Sequence, residues 1–465
     1  MIDRHRRNVS LLVAACFFME LLDGTIVVTA APKIADALGV SVGSVGLVVT
    51  SYLLALGALI PVGGWMTTRY GPRPVFTGAI ALFTLASLGC ALSTSLAMLV
   101  ALRAVQGAGG ALMVPVGRLV VLRDAPKSEV VRLVAYFTWP GLVAPVIAPL
   151  AGGVITTYTD WRWIFLLNVP LGVVAFAVAR RLLRHEASPS QRLPLDVPGT
   201  VLTVGALAGL TVVGHVLSES GPSVAAIALT ATATALLLVA ASMHLLRTES
   251  PLVNLRTLRD RTFRLATTGM AVYAIPVGAT PFLLPLLFQT VFGWSAVKSG
   301  AIVLFVFLGN IGIKPATTPL IERFGFRPTL ITATLVLAAT MGGMALFTDS
   351  TPLSVICAVA FVSGTARSTA LTVYNTLAYA EVETNDMRDA NTLNLVAQQV
   401  SFGLGVAAGA VALRAGEAIA STPNGAYTVA FAAMGLVALA ATVGALRLER
   451  GAGDTLRVRD RATPA

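Results

Sequence analysis

TTRYGPRPVF at residues 67–76 returns as LIERFGFRPTL at 320–330: Arg69, Gly71 and Arg73 recur as Arg323, Gly325 and Arg327, each 254 residues on. Both copies are short basic connectors between long apolar runs. Similar hairpin loops at equivalent places indicate an internal duplication. Working outward from them, apolar spans fall near 9–31, 45–66, 75–93, 97–120, 130–157, 162–183, 197–217, 223–246, 263–291, 296–317, 328–347, 352–377, 391–413 and 426–447. Six end before residue 185 and six begin after residue 262. The two between, 197–217 and 223–246, have no counterpart and read as an insertion. The expected architecture is all-α and membrane-embedded with fourteen spans. Residues 1–185 form one six-helix bundle, 186–250 a linker with two inserted helices, 251–450 a second six-helix bundle, and 451–465 a disordered cytoplasmic tail.

Composition supports the bilayer. The chain is 56% hydrophobic and 12% charged, with mean hydropathy +0.81, whereas soluble domains run near 45–50% apolar and about 25% charged. A spanning helix needs about 20 apolar residues, so fourteen would use roughly 280, which 465 residues accommodate. Helices are the expected element because backbone groups must satisfy one another in lipid, and the alternation of a barrel is absent. A net charge of +11 would suit nucleic acid, but the positions of the charges argue otherwise. With the N-terminus in the cytoplasm, only Lys33, Arg162, Lys298 and Arg414 face outward, and Arg103, Arg118, Lys314 and Arg367 lie within spans. The remainder gather on the cytoplasmic side, as the positive-inside rule demands. Both termini are then cytoplasmic, and the basicity reports topology, with no nucleic-acid partner.

The opening MIDRHRRN and its apolar run read as an uncleaved first helix, because the run is too long for a leader and lacks a small-residue cleavage site. Cys16, Cys90 and Cys357 lie in apolar segments at no ligand spacing, so neither a disulfide framework nor a metal site is expected. A Walker-type GxxxxGK[ST] loop is missing from the sequence, as is any nucleophile–base arrangement. The chain reads as no enzyme, with no cofactor.

The acids carry the chemistry. Glu20 and Asp23 are the two carboxylates inside long apolar stretches. An acid at the bilayer centre costs about 2.5–3.5 kcal/mol on translocon scales and marks a functional site by default. At i and i+3 the two share one helix face and titrate as a coupled unit. Such a pair can take a proton from one side and release it on the other; a structural hydrogen-bonding pair between helices is the alternative. Glu20 could instead attract a cationic substrate. In LRAVQGAGGALMVP at 102–115, Gln106, Gly107 and Gly110 follow Arg103 on its own face. Small residues there admit a neighbouring helix. At 1.5 Å per residue, Arg103 and Asp23 lie roughly 25 and 21 Å from their cytoplasmic span ends. That depth permits a pair that substrate or conformation could switch by moving the guanidinium, and equally permits a purely structural pair.

Taken in order, these segments resemble the major facilitator superfamily, specifically the fourteen-helix drug/proton antiporters of the EmrB/QacA type. LLDGTIVVTAAPKIADAL at 21–38 looks like the family's span-1 motif, with Asp23 at its acidic position, and 102–115 looks like its span-4 motif. TWPGLVAPVIAPLAGGVI at 138–155 resembles its span-5 antiporter motif through Gly141, Pro145, Pro149, Gly152 and Gly153, although Ala144 and Ala148 stand where glycine is usual. GGWMTTRYGPRP at 63–74, with Gly64, Arg69, Gly71 and Arg73, resembles the signature between spans 2 and 3. Thr68 replaces its usual acid, which puts the charge latch of the family in question or passes it to Glu322. WRWIFLLNVPLG at 161–172 fits the family as interfacial anchoring and says nothing of chemistry.

The resemblance implies a proton-coupled antiporter in a bacterial inner membrane, exporting drugs or amphipathic toxic compounds by alternating access as a monomer. Its partners would be a small-molecule substrate, protons and the lipid bilayer. Asp23, Glu20 and Arg103 would couple the proton. Gln106, Tyr52, Trp139, Tyr273, Asn310, Arg367, Asn375 and Gln398 are candidates for the substrate cavity; ordinary packing competes for the aromatics and interhelical hydrogen bonding for the amides. Arg367 is either a partner for substrate or a counter-ion. Lys314 and Arg118 read as snorkelling toward cytoplasmic ends. An exporter of a specific metabolite, metal chelate or endogenous antibiotic is the alternative within transporters. A transport-inactive sensor or scaffold is the alternative outside them.

Overall fold

In a lipid core the polar backbone has no solvent partner, and the computed structural model answers with helices throughout. It describes residues 4–122, 127–183, 195–218, 223–249, 251–382, 386–449 and 451. The linker at 184–194 and the tail from 452 lie outside them, as do the surroundings of Trp139 and Gly141. Helix α1 (Arg4–Thr29) is followed by a short α2 (Ala31–Leu38), α3 (Val42–Tyr70), α4 (Pro72–Ala91), α5 (Leu96–Leu122), α6 (Lys127–Tyr158), α7 (Trp163–Leu166) and α8 (Asn168–Leu182). Then come α9 (Val197–Ser218) and α10 (Val224–Arg247). The rest is α11 (Arg261–Leu286), α12 (Ala296–Gly312), α13 (Lys314–Phe324), α14 (Phe326–Ala345), α15 (Leu353–Leu377), α16 (Met387–Ile419) and α17 (Pro423–Leu446). Among the described residues twelve helices are long and apolar enough to cross a membrane. There are thirteen if α12 and α13, which meet at 49°, form one bent span.

Helices α1–α8 pack chiefly among themselves, as α1 on α6, and α3 and α4 on α5. Helices α11–α17 do likewise, as α11 on α16, α12 on α15 and α14 on α17. The α9–α10 hairpin lies outside both groups, resting α9 on α3 and α16.

The duplicated loops adopt one geometry. Gly71 and Gly325 both take positive φ, 86° and 87°, between the helices they join. Two residues on, Arg73 donates to the Arg180 carbonyl at 3.0 Å and Arg327 to the Leu446 carbonyl at 2.9 Å. Each arginine thus ties its loop to the end of the last helix of its own group. Thr68 spends its hydroxyl on the Gly64 carbonyl of its own helix, at 3.0 Å.

The two groups meet where α1 ends and α3 begins. Thr50 Oγ1 donates to the Gly403 carbonyl at 3.2 Å, and Gln289 Nε2 to the Thr29 carbonyl at 3.3 Å. Helices α6 and α12 touch backbone to backbone. A Cβ at Gly153 would stand 2.5 Å from the Ala296 carbonyl oxygen, and one at Gly300 would stand 2.2 Å from that of Pro149.

Asp196 anchors the inserted hairpin. Its carboxylate accepts from Gly199 N at 2.9 Å and Leu252 N at 3.1 Å, and meets His244 Nε2 at 2.7 Å. Burial opposes its ionisation, but these donors outweigh burial and hold the carboxyl below the usual carboxylate range. The anchorage is therefore complete above that range and fades as pH falls through the lowered value. Asp196→Ala leaves two backbone donors without an acceptor, a loss of roughly 1–3 kcal/mol each where buried. Amide hydrogen exchange over 197–218 should speed up in this variant while α1 is unaffected; equal protection in both would remove Asp196 as the anchor.

Candidate functional site

Small residues let the charged helices come together. On α5, Gly107 faces the Tyr52 carbonyl so closely that a Cβ would stand 2.3 Å away, and on α6 Gly152 faces Thr29 and Ile26 of α1. With α3 drawn onto α5, Arg103 is driven into the middle of the first helix group, where it is fully buried. A guanidinium stays charged at any physiological pH, so burial demands an anion. Asp23, equally buried, supplies it.

Arg103 Nη1 donates to Asp23 Oδ2 and, at 2.8 Å, to Gln106 Oε1. Its Nε donates to the Val48 carbonyl at 3.2 Å, and its guanidinium lies 4.1 Å from the centre of the Tyr52 ring. Asp23 Oδ1 accepts from Gln106 Nε2 at 3.1 Å and from Asn168 Nδ2 at 2.7 Å. Asn168 also donates to Ser87 Oγ at 3.1 Å, and Ser87 to the Phe165 carbonyl at 2.9 Å. Helices α5 and α8 therefore close on the α1 carboxylate through charge-assisted hydrogen bonds, the strong class, with Ser87 of α4 holding Asn168 from behind.

Glu20 is held differently. It is 7% exposed, and its Oε2 is buried with no hydrogen-bond partner. The charges closest in effect are Arg118 and Asp23. Tyr52 joins the two acids physically, its ring beneath Arg103 and its hydroxyl donating to the Glu20 carbonyl at 3.4 Å.

Of the residues expected in a cavity, Tyr52 and Gln106 belong to this network and are buried. Tyr273 is buried in the second group, where its hydroxyl donates to the Arg367 carbonyl at 2.5 Å. Asn375 Oδ1 accepts from Asn394 Nδ2 at 3.1 Å, an interhelical bond. Asn310 on α12 lies where Gly364 of α15 comes against it, and Gln398 is half-buried on α16. Lys314, read as snorkelling, is exposed. It stands at the bend between α12 and α13 and donates to Thr372 Oγ1 at 3.0 Å. Pro145, Pro149, Gly152 and Gly153 line α6, with Gly152 against α1 and Gly153 against α12. Gly64 is open, with nothing near its Cβ position.

Asn168 was not expected. Its segment, WRWIFLLNVPLG, reads as an interfacial anchor, yet it completes the shell of Asp23. One signal was available: an amide in an otherwise apolar run.

A family model describing the Major Facilitator Superfamily matches residues 13–406 and 267–461. The chain belongs to the Major Facilitator Superfamily. Within that superfamily it is 35% identical over 398 residues to MdtD of Escherichia fergusonii, a protein named for multidrug resistance, covering 85% of this chain and 83% of the relative. MdtD of Shigella flexneri matches to the same extent. Among solved structures, a mutant form of the nucleoside transporter NupG superposes with a TM-score of 0.68 at 11% identity, covering 94% of this chain and 99% of that one. A D-xylose–proton symporter gives 0.66 at 15%, covering 93% and 96%. At such identities these structures speak for the fold alone. As a superfamily member the chain is a multi-pass membrane transporter of small molecules, with homologues in bacteria.

Proposed function

We propose that the protein is a proton-coupled antiporter that exports drugs or amphipathic toxic compounds across a bacterial inner membrane by alternating access. The observation that carries this reading is the acid pair of α1: Asp23 locked to Arg103, and Glu20 one turn away with a buried, unpartnered oxygen. MdtD's name for multidrug resistance supports the class of cargo. In this reading α6, a 32-residue helix, is the fourteenth span. Residues 1–185 and 251–450 are the two moving bundles, and 186–250 is an inserted hairpin. With both termini cytoplasmic, the end at which α6 meets α12 is the outer one, and in this reading that contact closes it.

The chemistry follows from the geometry. In this state Asp23 is fully enclosed by three donors, so it exchanges a proton only when Arg103 or Asn168 withdraws. Glu20 Oε2 has no donor to displace. A proton taken up outside on Glu20 and Asp23 loosens the Arg103 pair, releases substrate and permits reorientation. Loss of the proton inside restores the pair. An inward proton gains about 2.3 kcal/mol per 100 mV, enough for roughly fifty-fold accumulation per proton.

The function is tested in inverted vesicles with an acid interior and a chemically diverse compound panel: uptake that collapses with the pH gradient is expected, and gradient-independent uptake sinks antiport. Glu20→Gln keeps the side chain's shape and removes its proton. Substrate-induced proton release from the purified protein should fall by at least one proton per cycle in this variant. Full release would take Glu20 out of the coupling, and no release from wild type would favour a scaffold.

A further inference from the structure

Among the described residues, the second helix group holds a buried positive charge with no ion-pair partner. Arg367, past the middle of α15, is 7% exposed, and its Nε and Nη1 are buried without a hydrogen-bond partner. Among the described residues it makes no ion pair. From α11 to α17 every Asp and Glu lies in a terminal helical turn or a connector: Glu322, Asp389 and Glu417 end helices, and the rest lie between them. Among the described residues, chain folding therefore offers this guanidinium no carboxylate. Arg103 in the first group has Asp23; the Tyr273 hydroxyl, which lies in electrostatic reach of Arg367, is already committed to the backbone.

Such a charge costs several kcal/mol if left uncompensated, and an in-span arginine marks a functional site by default. Its surroundings favour an anion. Ser363 and Tyr374, at i−4 and i+7 on the same strip of α15, each present a buried hydroxyl with no partner. The rings of Tyr273 and Tyr374, 5.5 Å apart, stand beside the guanidinium's own backbone as an aromatic wall.

We propose that Arg367 is the docking site for a carboxylate-class anionic group on the exported substrate. The planar fork of arginine matches a carboxylate in two parallel hydrogen bonds, which a neutral ligand would leave unused. The inference rests on the exporter reading and narrows its cargo to compounds that pair an apolar or aromatic body with an anionic head. The two groups then divide the work: acids for the proton in the first, a cation for the substrate in the second.

Purified full-length protein is melted with 2-naphthoate, with the neutral 2-naphthamide, and with sulfate, in wild type, Arg367→Gln and Arg367→Lys. Stabilisation by naphthoate and not by naphthamide is expected, abolished by Arg367→Gln and partly kept by Arg367→Lys, which retains the charge without the fork. The ligand-free melting of the two variants reports their folding directly. Equal stabilisation by naphthamide, an undiminished naphthoate shift in Arg367→Gln, or no shift in wild type overturns the proposal. A sulfate shift matching that of naphthoate overturns it too, by reducing the site to a structural counter-ion site. Naphthoate that binds through Arg367 but is not moved by a pH gradient in inverted vesicles refutes the exporter reading and leaves the anion site standing.

Discussion

Asp23→Asn should reduce proton-driven export to the background of vesicles lacking the protein, and should also lower the melting temperature. Adding Arg103→Gln should restore the second property and not the first. The single change keeps the size of the side chain and can still accept from Asn168, but it leaves the fully buried Arg103 without its anion. Removing one partner of a buried pair typically destabilises by about 3–5 kcal/mol. Replacing both with neutral amides removes the stranded charge, so the double variant should melt near wild type. Coupling is a separate matter, because neither asparagine nor glutamine exchanges a proton. This double-mutant logic separates a structural pair from a transport-linked one. If the double variant both folds and exports against the gradient, the pair only holds the helices together. If export persists in Asp23→Asn alone, the proton is carried elsewhere on α1, and Glu20 is the group left.

What the sequence displayed and what it hid divide along physical lines. Membrane spans are legible because charge is so costly in lipid that its absence over twenty residues is itself a signal. The repeated loop was legible because Gly71 and Gly325 occupy a backbone region that other residues avoid, so the same residue marks the same turn twice. Pairing of Asp23 with Arg103 could be anticipated from depth alone, since two opposite charges at one level of a bilayer have few other partners. Asn168 stood out as an amide in an apolar run, but its partner could not be anticipated. An amide has a low enough desolvation cost to occur anywhere, and only the approach of α8 to α1 and α4 shows what it bonds. The isolation of Arg367 was likewise hidden, because a lone in-span arginine reads as either counter-ion or ligand until its neighbours are known. The bend at Ile313 also escaped notice, since the apolar run continues through it and only the backbone reveals the 49° change of direction.

Gly300→Ala and Gly153→Ala, alone or together, should trap the protein with its closed end open and stop transport while leaving each helix group intact. A methyl at Gly300 would stand 2.2 Å from the Pro149 carbonyl oxygen, and one at Gly153 2.5 Å from that of Ala296. Both obstacles are backbone rather than flexible side chain, so no rotamer change relieves them, and α6 and α12 must part. The nearest atoms at both positions belong to the opposite group. The expected result is therefore a shift between conformations and not unfolding. Spin labels at Lys33→Cys and Lys298→Cys, exposed positions on the two sides of that end, would report it as a longer distance in the glycine variants than in the parent. Transport should fall to background because a carrier that cannot close one gate cannot complete a cycle. A longer distance with undiminished transport would mean that the α6–α12 contact is dispensable. An unchanged distance would mean the helices accommodate the methyl groups by shifting along each other, and the tight approach would then be a packing feature with no part in gating.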